Sequence, residues 1–198
     1  MSSDLNQDPR WIRFQDGDWI CPCCGARHDG GLFDLACDQP EFWQGGKEKS
    51  PNSKVLTSDN FLADNVLTED FCVLDGEHFF VRCVLQLPLI GAPDCFGFGV
   101  WATLSKPNFI LYVNTFDSGE QGGLGPWFGW FSNRLKGYPD TLNLKCQVKP
   151  REGRQRPCID LESTAHPFAV EQRGGITFDR LLEIYALNGH DVRRALSN

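Results

Sequence analysis

The sequence lacks the apolar segments that a membrane protein needs. No hydrophobic run approaches the roughly 20 residues of a membrane-spanning helix. The first residues, MSSDLNQDPRWIRF, are polar and acidic, whereas a signal peptide begins with a basic and then an apolar stretch. These absences predict a protein of the cytoplasm that does not associate with a membrane.

Clusters of basic residues are missing too. The chain contains 19 Lys and Arg residues against 26 Asp and Glu residues, and its formal net charge is -7. Nucleic-acid phosphates are bound by clustered Lys and Arg side chains, so we expect no nucleic-acid partner. The acidic balance favours a basic protein partner, for instance a toxin, and the sequence specifies no oligomeric state.

Familiar catalytic motifs are also absent. The chain has no G-x-S-x-G nucleophile turn, no phosphate-binding G-x-x-x-x-G-K-[ST] loop and no H-E-x-x-H zinc motif. His78 and His166 have Glu77 and Glu162 nearby in the sequence, but isolated histidines at strand ends are more often structural than catalytic. We expect neither histidine to act in catalysis.

Internal repeats and linkers are absent as well, and 198 residues with 41% hydrophobic content fit one globular domain. Residues 1–16 are predicted to form a polar N-terminal extension, and residues 17–198 a single α+β domain. The cysteine count of 9 is odd and no export signal precedes the cysteines. Both observations favour reduced thiols over disulfides.

Hydrophobic periodicity predicts the strands and helices. FGFGVWATLS alternates and predicts a strand over residues 96–104 with one face in the core, and DTLNLKCQVKP places its apolar residues from 142 to 148 inward in the same way. PCIDLE is expected to be the neighbouring strand. A mainly antiparallel sheet is therefore expected between residues 79 and 159.

Two segments follow the helical period instead. KPNFILYVNTF has apolar residues at i, i+3, i+4 and i+7, which predicts a helix over residues 108–116 packed on one face of the sheet. ITFDRLLEIYALNG predicts a C-terminal helix that Thr177 caps and that Asn188 and Gly189 end. The predicted fold class is α+β.

The N-terminal stretch CPCCGARH contains a C-P-x-C-G turn that resembles a zinc knuckle. Cys21 and Cys24 can point their thiolates at one ion, because Pro22 presets the turn and Gly25 permits a positive φ. A redox pair would instead open a helix, and GARHDGG is a poor helix start. Metal binding is therefore favoured over redox chemistry.

A tetrahedral zinc site needs two further ligands, and the chain has no second C-x-x-C. The predicted ligand set is Cys21, Cys24, His28 and Cys72, with the zinc ion in a structural role. Cys37 and Cys83 are other candidates for the distant ligand. The alternative, that these cysteines are buried as small hydrophobic residues, remains open.

The segment GPWFGWFSNRLKGYPDTLNLK combines aromatic and polar residues, as a binding pocket does. The candidate ligand-binding residues are Trp101, Trp127, Trp130, Asn133, Arg134, Tyr138, Asp140 and Lys145. Alternating aromatic residues are equally typical of a sheet core, and charged residues after them are typical of a solvated turn. Both interpretations are kept.

Several stretches together resemble a bacterial family of unknown function, DUF2199, over about residues 17–187. The stretches are CPCCGARH, CVLDGEHFFVRC, FGFGVWATLS, GPWFGWFSNRLKGYPDTLNLK and HPFAVEQRGGIT. The resemblance implies a bacterial protein and supplies no catalytic residues. It places a shared C-x-x-C-G-x-x-H pattern on Cys21, Cys24, Gly25 and His28, with a later cysteine at Cys72.

Two functions remain as hypotheses. The first is a non-catalytic interaction or ligand-binding domain with a structural zinc knuckle. The second is a hydrolase or transferase with a site around Arg134, Asp140 and Lys145. A histidine paired with a carboxylate inside a pocket would favour the enzyme, whereas an acidic or aromatic surface without such a pair would favour the binding domain.

Overall fold

The computed structural model describes residues 5–17, 19–23, 25–27, 31–46, 48–56 and 65–197. The helices are α1 (Pro9–Asp16), α2 (Ser53–Leu56), α3 (Lys106–Phe116), α4 (Pro167–Gly174), α5 (Phe178–Leu187) and α6 (Arg193–Leu196). The strands are β1 (Leu35–Ala36), β2 (Val66–Leu67), β3 (Phe71–Leu74), β4 (His78–Pro88), β5 (Cys95–Leu104), β6 (Trp127–Trp130), β7 (Lys145–Lys149) and β8 (Cys158–Leu161). Within the described ranges, no helix has the length and apolar character needed to cross a membrane.

One sheet joins all the strands, in the order β1-β5-β4-β8-β7-β6, with β2 and β3 extending from β4. The long strands β4 and β5 pair antiparallel along their whole length. β1 pairs with β5 in parallel, and β8 pairs with β4 in parallel. The predicted α+β class is confirmed, but the sheet is mixed and the expectation of a mainly antiparallel sheet is not confirmed. Other strands lie between β1 and β5 and between β4 and β8 in the sequence, and such long separations allow parallel pairing.

The sheet is curved so that the chain directly after β6 returns to β5. Phe131, directly after β6, forms an antiparallel bridge with Ala102 of β5. The next residue continues the contact, since Ser132 N donates to the carbonyl of Trp101 at 2.9 Å. The strand order therefore returns to β5, and the sheet closes on itself around the main core.

The inner face of the sheet is covered by helices. Side chains at odd-numbered positions of β4 from Phe79 to Leu87 and at even-numbered positions of β5 are buried in the main core. Phe109 of α3 packs on Phe79 at 5.3 Å, and Phe168 of α4 packs on Phe98 at 6.0 Å between ring centroids. The predicted strand at residues 96–104 and its inward face are confirmed.

Both predicted helices are confirmed by their caps. Ser105 accepts a hydrogen bond from the amide of Asn108 at the start of α3, and Thr177 accepts one from the amide of Arg180 at the start of α5. Asn188 ends α5 as predicted. Side-chain caps of this kind satisfy helix amides that otherwise have no partner.

The predicted strand over residues 142–148 is shorter in the structure. β7 begins only at Lys145, since Asn143 lies in a turn with a φ of 60° and Leu144 N donates to the carbonyl of Thr141. A positive φ is incompatible with the extended backbone of a strand. Cys146 and Val148 do face the core as predicted.

Helix α1 lies within the segment that the sequence predicts as a polar extension. Trp11 and Phe14 are buried on its inner side, and the ring of Trp11 meets Phe178 of α5 edge-on at 5.2 Å. Its N-cap Asp8 accepts from the amide of Arg10, which satisfies one amide of the first turn. Trp11 and Phe14 therefore belong to the main core, although the sequence predicts a polar extension at these positions.

Candidate functional site

The outer face of the sheet carries a groove that is lined mainly by strand residues. Its central cleft has a volume of about 430 Å³ and lies over β3, β4, β5 and β6. The residues that line this cleft are Phe42, Leu74, Asp75, His78, Phe80, Thr103, Trp130 and Asn143. We refer to it, together with the two clefts that adjoin it, as the aromatic groove.

The adjoining clefts share walls with the central one. The first, of about 380 Å³, shares His78, Thr103 and Trp130 and adds Phe128. The second, of about 310 Å³, shares Phe42, Leu74 and Asp75 and adds Trp43. The shared walls make the aromatic groove continuous from β6 to the loop that follows β1.

Large aromatic side chains are exposed along the aromatic groove. Phe42, Phe128 and Trp130 expose 41%, 48% and 39% of their surface. The rings of Phe128 and Trp130 meet edge-on with their centroids 5.1 Å apart, and the ring centroids of Phe42 and Phe80 lie 6.4 Å apart. Exposed apolar side chains that gather in one place are typical of a binding surface, whereas scattered ones are not.

Strand β6 can present Trp130 because it approaches β5 closely. The amide of Trp130 donates to Thr103 Oγ1 at 2.9 Å. A Cβ atom at Gly129 would lie 2.4 Å from the carbonyl oxygen of Thr103, so only glycine allows this approach. The position of Trp130 in the aromatic groove therefore depends on the glycine before it.

A second buried cluster forms the floor of the aromatic groove. It consists of Leu67, Cys72, Phe80 and Trp101. Hydrogen bonds fix both the backbone and the ring of Trp101. Its amide donates to Asn133 Oδ1 at 2.8 Å, and its Nε1 donates to the carbonyl of Cys37 at 3.2 Å. Hydrogen bonds within the chain therefore hold the floor in place.

Asn133 also fixes the loop that supplies Phe42. Its Nδ2 donates to the carbonyl of Gln39 at 2.9 Å, and the amide of Glu41 donates to the carbonyl of Ser132 at 2.8 Å. Asn133 is only 3% exposed. This predicted ligand-binding residue is thus a positioning residue under the aromatic groove.

The charged side chains that line the aromatic groove are acidic. Asp75 and Glu77 come from the turn between β3 and β4, and the described lining residues include no Lys or Arg. Asp75 has a φ of 54° and its Oδ1 accepts from Asn65 Nδ2 at 3.3 Å. The groove therefore combines aromatic faces with negative charge.

The structure separates the candidate residues that the sequence grouped together. Trp127 and Trp130 lie three positions apart in β6, so they point to opposite faces of the sheet: Trp127 packs against Tyr112 of the main core. Trp101 lies buried in the floor. Of the predicted ligand-binding residues, Trp130 is the one that lines the aromatic groove.

The remaining polar candidates pair with other side chains. Arg134 pairs with Glu41 at 3.1 Å and with Asp140 at 3.2 Å on the surface, and Lys145 lies 3.8 Å from Glu162. Arg134 and Asp140 lie between β6 and β7, whereas Lys145 begins β7 and lines a small cleft together with Glu162. Exposed pairs of this kind contribute little to stability.

Tyr138 belongs to the helical side of the molecule. Its hydroxyl donates to Glu171 Oε2 at 2.5 Å, and the guanidinium of Arg180 lies 4.9 Å from the centre of its ring. Burial, with the Glu171 carboxylate beside it, raises the pKa of Tyr138. Tyr138 therefore ties α4 and α5 to the loop that follows β6.

The predicted zinc ligands lie only partly within the described residues. Cys21 is buried in the main core, and Cys72 lies in the floor of the aromatic groove. Cys24 and His28 lie outside the described residues, and among the residues inside those ranges no group of three or more potential metal ligands occurs. The four-residue set therefore stays a prediction.

Cys72 has the surroundings of a packing residue. It alternates in β3 with Phe71 and Val73, which face the main core that contains Cys21, so it points to the other face of the sheet. Burial raises the pKa of its thiol to about 12. The thiol of Cys72 is therefore protonated at neutral pH.

The protein has an α+β fold in which a curved mixed sheet carries the aromatic groove, and a cysteine turn lies near its N-terminus. A family model described as an uncharacterized protein conserved in bacteria, DUF2199, matches residues 20–176. The match covers most of the chain, so the protein belongs to the DUF2199 family, as the sequence predicted. Searches among curated proteins and among solved structures found no match.

Proposed function

We propose that this protein is a non-catalytic binding domain whose aromatic groove holds a basic segment of a partner protein. The observation that carries the proposal is the composition of the groove. Exposed Phe42, Phe128 and Trp130 stand beside the carboxylates of Asp75 and Glu77, without a basic side chain among the described lining residues. Lys and Arg side chains bind favourably over aromatic faces and near carboxylates.

The net charge of the chain supports the same partner. A formal charge of -7 attracts a basic protein over distances of about 8 Å at physiological ionic strength. The floor under the groove supports binding without a large rearrangement, because hydrogen bonds within the chain hold Trp101 in place. Arg is expected to bind better than Lys, since its planar guanidinium stacks on aromatic rings.

The enzyme hypothesis receives less support from the geometry. Arg134 and Asp140 pair with each other on the surface, away from the aromatic groove. His78 lines the groove, and within the described residues it forms no hydrogen bond with a carboxylate. His166 serves as the N-cap of α4, where its Nδ1 accepts from the amide of Phe168.

A structural zinc ion at the cysteine turn is a second part of the proposal. The turn has the backbone that a knuckle requires: Gly25 has a φ of 69°, and its amide donates to the carbonyl of Cys21 at 2.9 Å. A metal site with protein ligands only would stabilise the fold and perform no chemistry. Metal analysis tests this part, since wild-type protein should contain about one equivalent of zinc.

A peptide-binding measurement tests the aromatic groove. Fluorescence anisotropy with fluorescein-labelled octa-arginine should show binding that weakens for octa-lysine, is absent for octa-glutamate and decreases with added salt. Trp130→Ala should weaken octa-arginine binding roughly tenfold, because it removes a cation–π partner at the centre of the groove. Glu77→Gln should weaken binding by a smaller factor.

Matched controls separate the aromatic groove from the net charge. Leu111→Ala removes a side chain that is 43% exposed on α3, outside the groove, and should bind octa-arginine like the wild type. Glu152→Gln removes the same charge as Glu77→Gln from an exposed position after β7. Equal affinity for Trp130→Ala and Leu111→Ala would show that the peptide binds by charge alone, and the proposal would be wrong.

A cytoplasmic, reducing location is the third part of the proposal, and thiol titration tests it. Cys23 and Cys95 are exposed free cysteines, whereas Cys83 and Cys146 are buried and have a raised pKa because of that burial. In native protein, an aromatic disulfide reagent at pH 8 should modify Cys23 and Cys95 quickly and the buried thiols slowly. Denaturation with a chelator and without reductant should reveal nearly all 9 thiols; several disulfides in protected, freshly purified protein would overturn the assignment.

A further inference from the structure

The cysteine turn lies against the end of the chain. Cys21 Sγ is 3.9 Å from His190 Nδ1, although 169 positions separate the two residues. Two ligands of one tetrahedral zinc ion, a thiolate and an imidazole, lie about 3.6 Å apart, given Zn–S and Zn–N bonds of about 2.3 and 2.05 Å. The observed separation therefore needs only a small adjustment for both atoms to bind the same ion.

Several contacts hold His190 in this place. After α5, Gly189 turns the chain with a φ of 91°, and the amide of His190 donates to the carbonyl of Tyr185 at 2.8 Å. The ring of Phe33 lies edge-on to the His190 ring at 5.4 Å. The following residue fastens the same segment to the cysteine turn, because Asp191 N donates to Cys23 Sγ at 3.1 Å.

We propose that His190 is a ligand of the structural zinc ion, in the place that the sequence assigned to Cys72. The inference rests on the zinc knuckle proposed above. Cys21 and His190 are two of the ligands. The C-x-x-C-G-x-x-H spacing of the sequence predicts Cys24 and His28, which lie outside the described residues, as the others. The set contains two thiolates and two imidazoles.

Such an ion would connect the two ends of the chain. Cys21 lies shortly after α1, and His190 lies between α5 and α6. A bond between them through zinc closes a loop of most of the chain, which limits the freedom of the unfolded state in the way that a disulfide does. His190 lies beyond residues 20–176, so the site would join the family-matched region to the C-terminal segment.

Metal content and cobalt spectroscopy test the ligand set. Wild-type protein expressed with added zinc and purified without a nickel column should contain about one equivalent of zinc. Loss of a residue that only hydrogen-bonds to a metal ligand typically lowers metal affinity roughly 10- to 100-fold, and His190→Ala should lower zinc affinity by more than this. His190→Cys should recover binding and, with Co²⁺ in place of zinc, gain sulfur-to-cobalt charge-transfer absorption relative to the wild type.

Cysteine variants provide the matched controls. Cys72→Ser and the exposed Cys95→Ser should keep full zinc and the wild-type cobalt spectrum, which should report two Co–S bonds. Retention of zinc by His190→Ala together with its loss from Cys72→Ser would overturn the role of His190 and leave the knuckle standing. Wild-type protein without zinc would overturn both the knuckle and this inference.

Discussion

Replacement of Phe168 by alanine is expected to lower the free energy of unfolding by about 3–5 kcal/mol. Phe168 is fully buried on α4, and its ring contacts Phe98, Phe131 and Tyr138 at centroid distances of 6.0, 5.6 and 4.6 Å. These partners come from β5, from the bridge that closes the sheet and from the loop tied to α5. The cavity would therefore open where three parts of the fold meet, and the neighbours cannot all collapse into it.

Chemical denaturation in guanidinium chloride measures this loss. Val170→Ala is the matched control, because Val170 lies on the same helix with 47% of its surface exposed, and it should change the stability by no more than about 0.5 kcal/mol. Equal effects from the two variants would contradict the packing of α4 on the closed sheet. A total stability of about 5–15 kcal/mol is usual for a domain, so Phe168→Ala should also melt at a clearly lower temperature.

The second large effect is expected for Asn133→Leu. Leucine cannot accept the hydrogen bond from the amide of Trp101 or donate to the carbonyl of Gln39, and both backbone groups would lose their partner. Each unsatisfied buried group costs about 1–3 kcal/mol, which gives a loss of about 2–6 kcal/mol. The aspartate variant Asn133→Asp keeps an acceptor for Trp101, and its carboxyl can donate to the carbonyl of Gln39 only while it is protonated. Its loss should therefore be smaller than that of Asn133→Leu at acidic pH and should grow as the carboxyl ionises.

Asn133→Leu should also weaken peptide binding. Asn133 holds the loop that carries Phe42, so its loss should reduce the affinity for octa-arginine even at temperatures where Asn133→Leu is fully folded. Asn114→Leu, at an exposed position of α3, is the control for the exchange itself. Unchanged stability and unchanged binding for Asn133→Leu would contradict the account of the groove floor.

The sequence determined the elements whose pattern is local. α3 and α5 have the helical period and carry their own caps, Ser105 and Thr177, so a short stretch contains all the information that defines them. The alternation of β5 likewise assigned its inner face, because successive side chains in any strand point to opposite sides. The family was also determined by the sequence, since its motifs are short and ordered along the chain.

The tertiary structure alone decided which faces meet. The mixed sheet, the closing bridge between Phe131 and Ala102, and the approach of His190 to Cys21 join residues far apart in the sequence, and no local period encodes such pairings. The predicted ligand-binding residues lie apart for the same reason: Trp127 and Trp130 are close in sequence, but the pleat of β6 directs one into the core and the other into the aromatic groove. Hydrophobic burial selects apolar residues for either place, so only the closed sheet distinguishes the covered face from the open one.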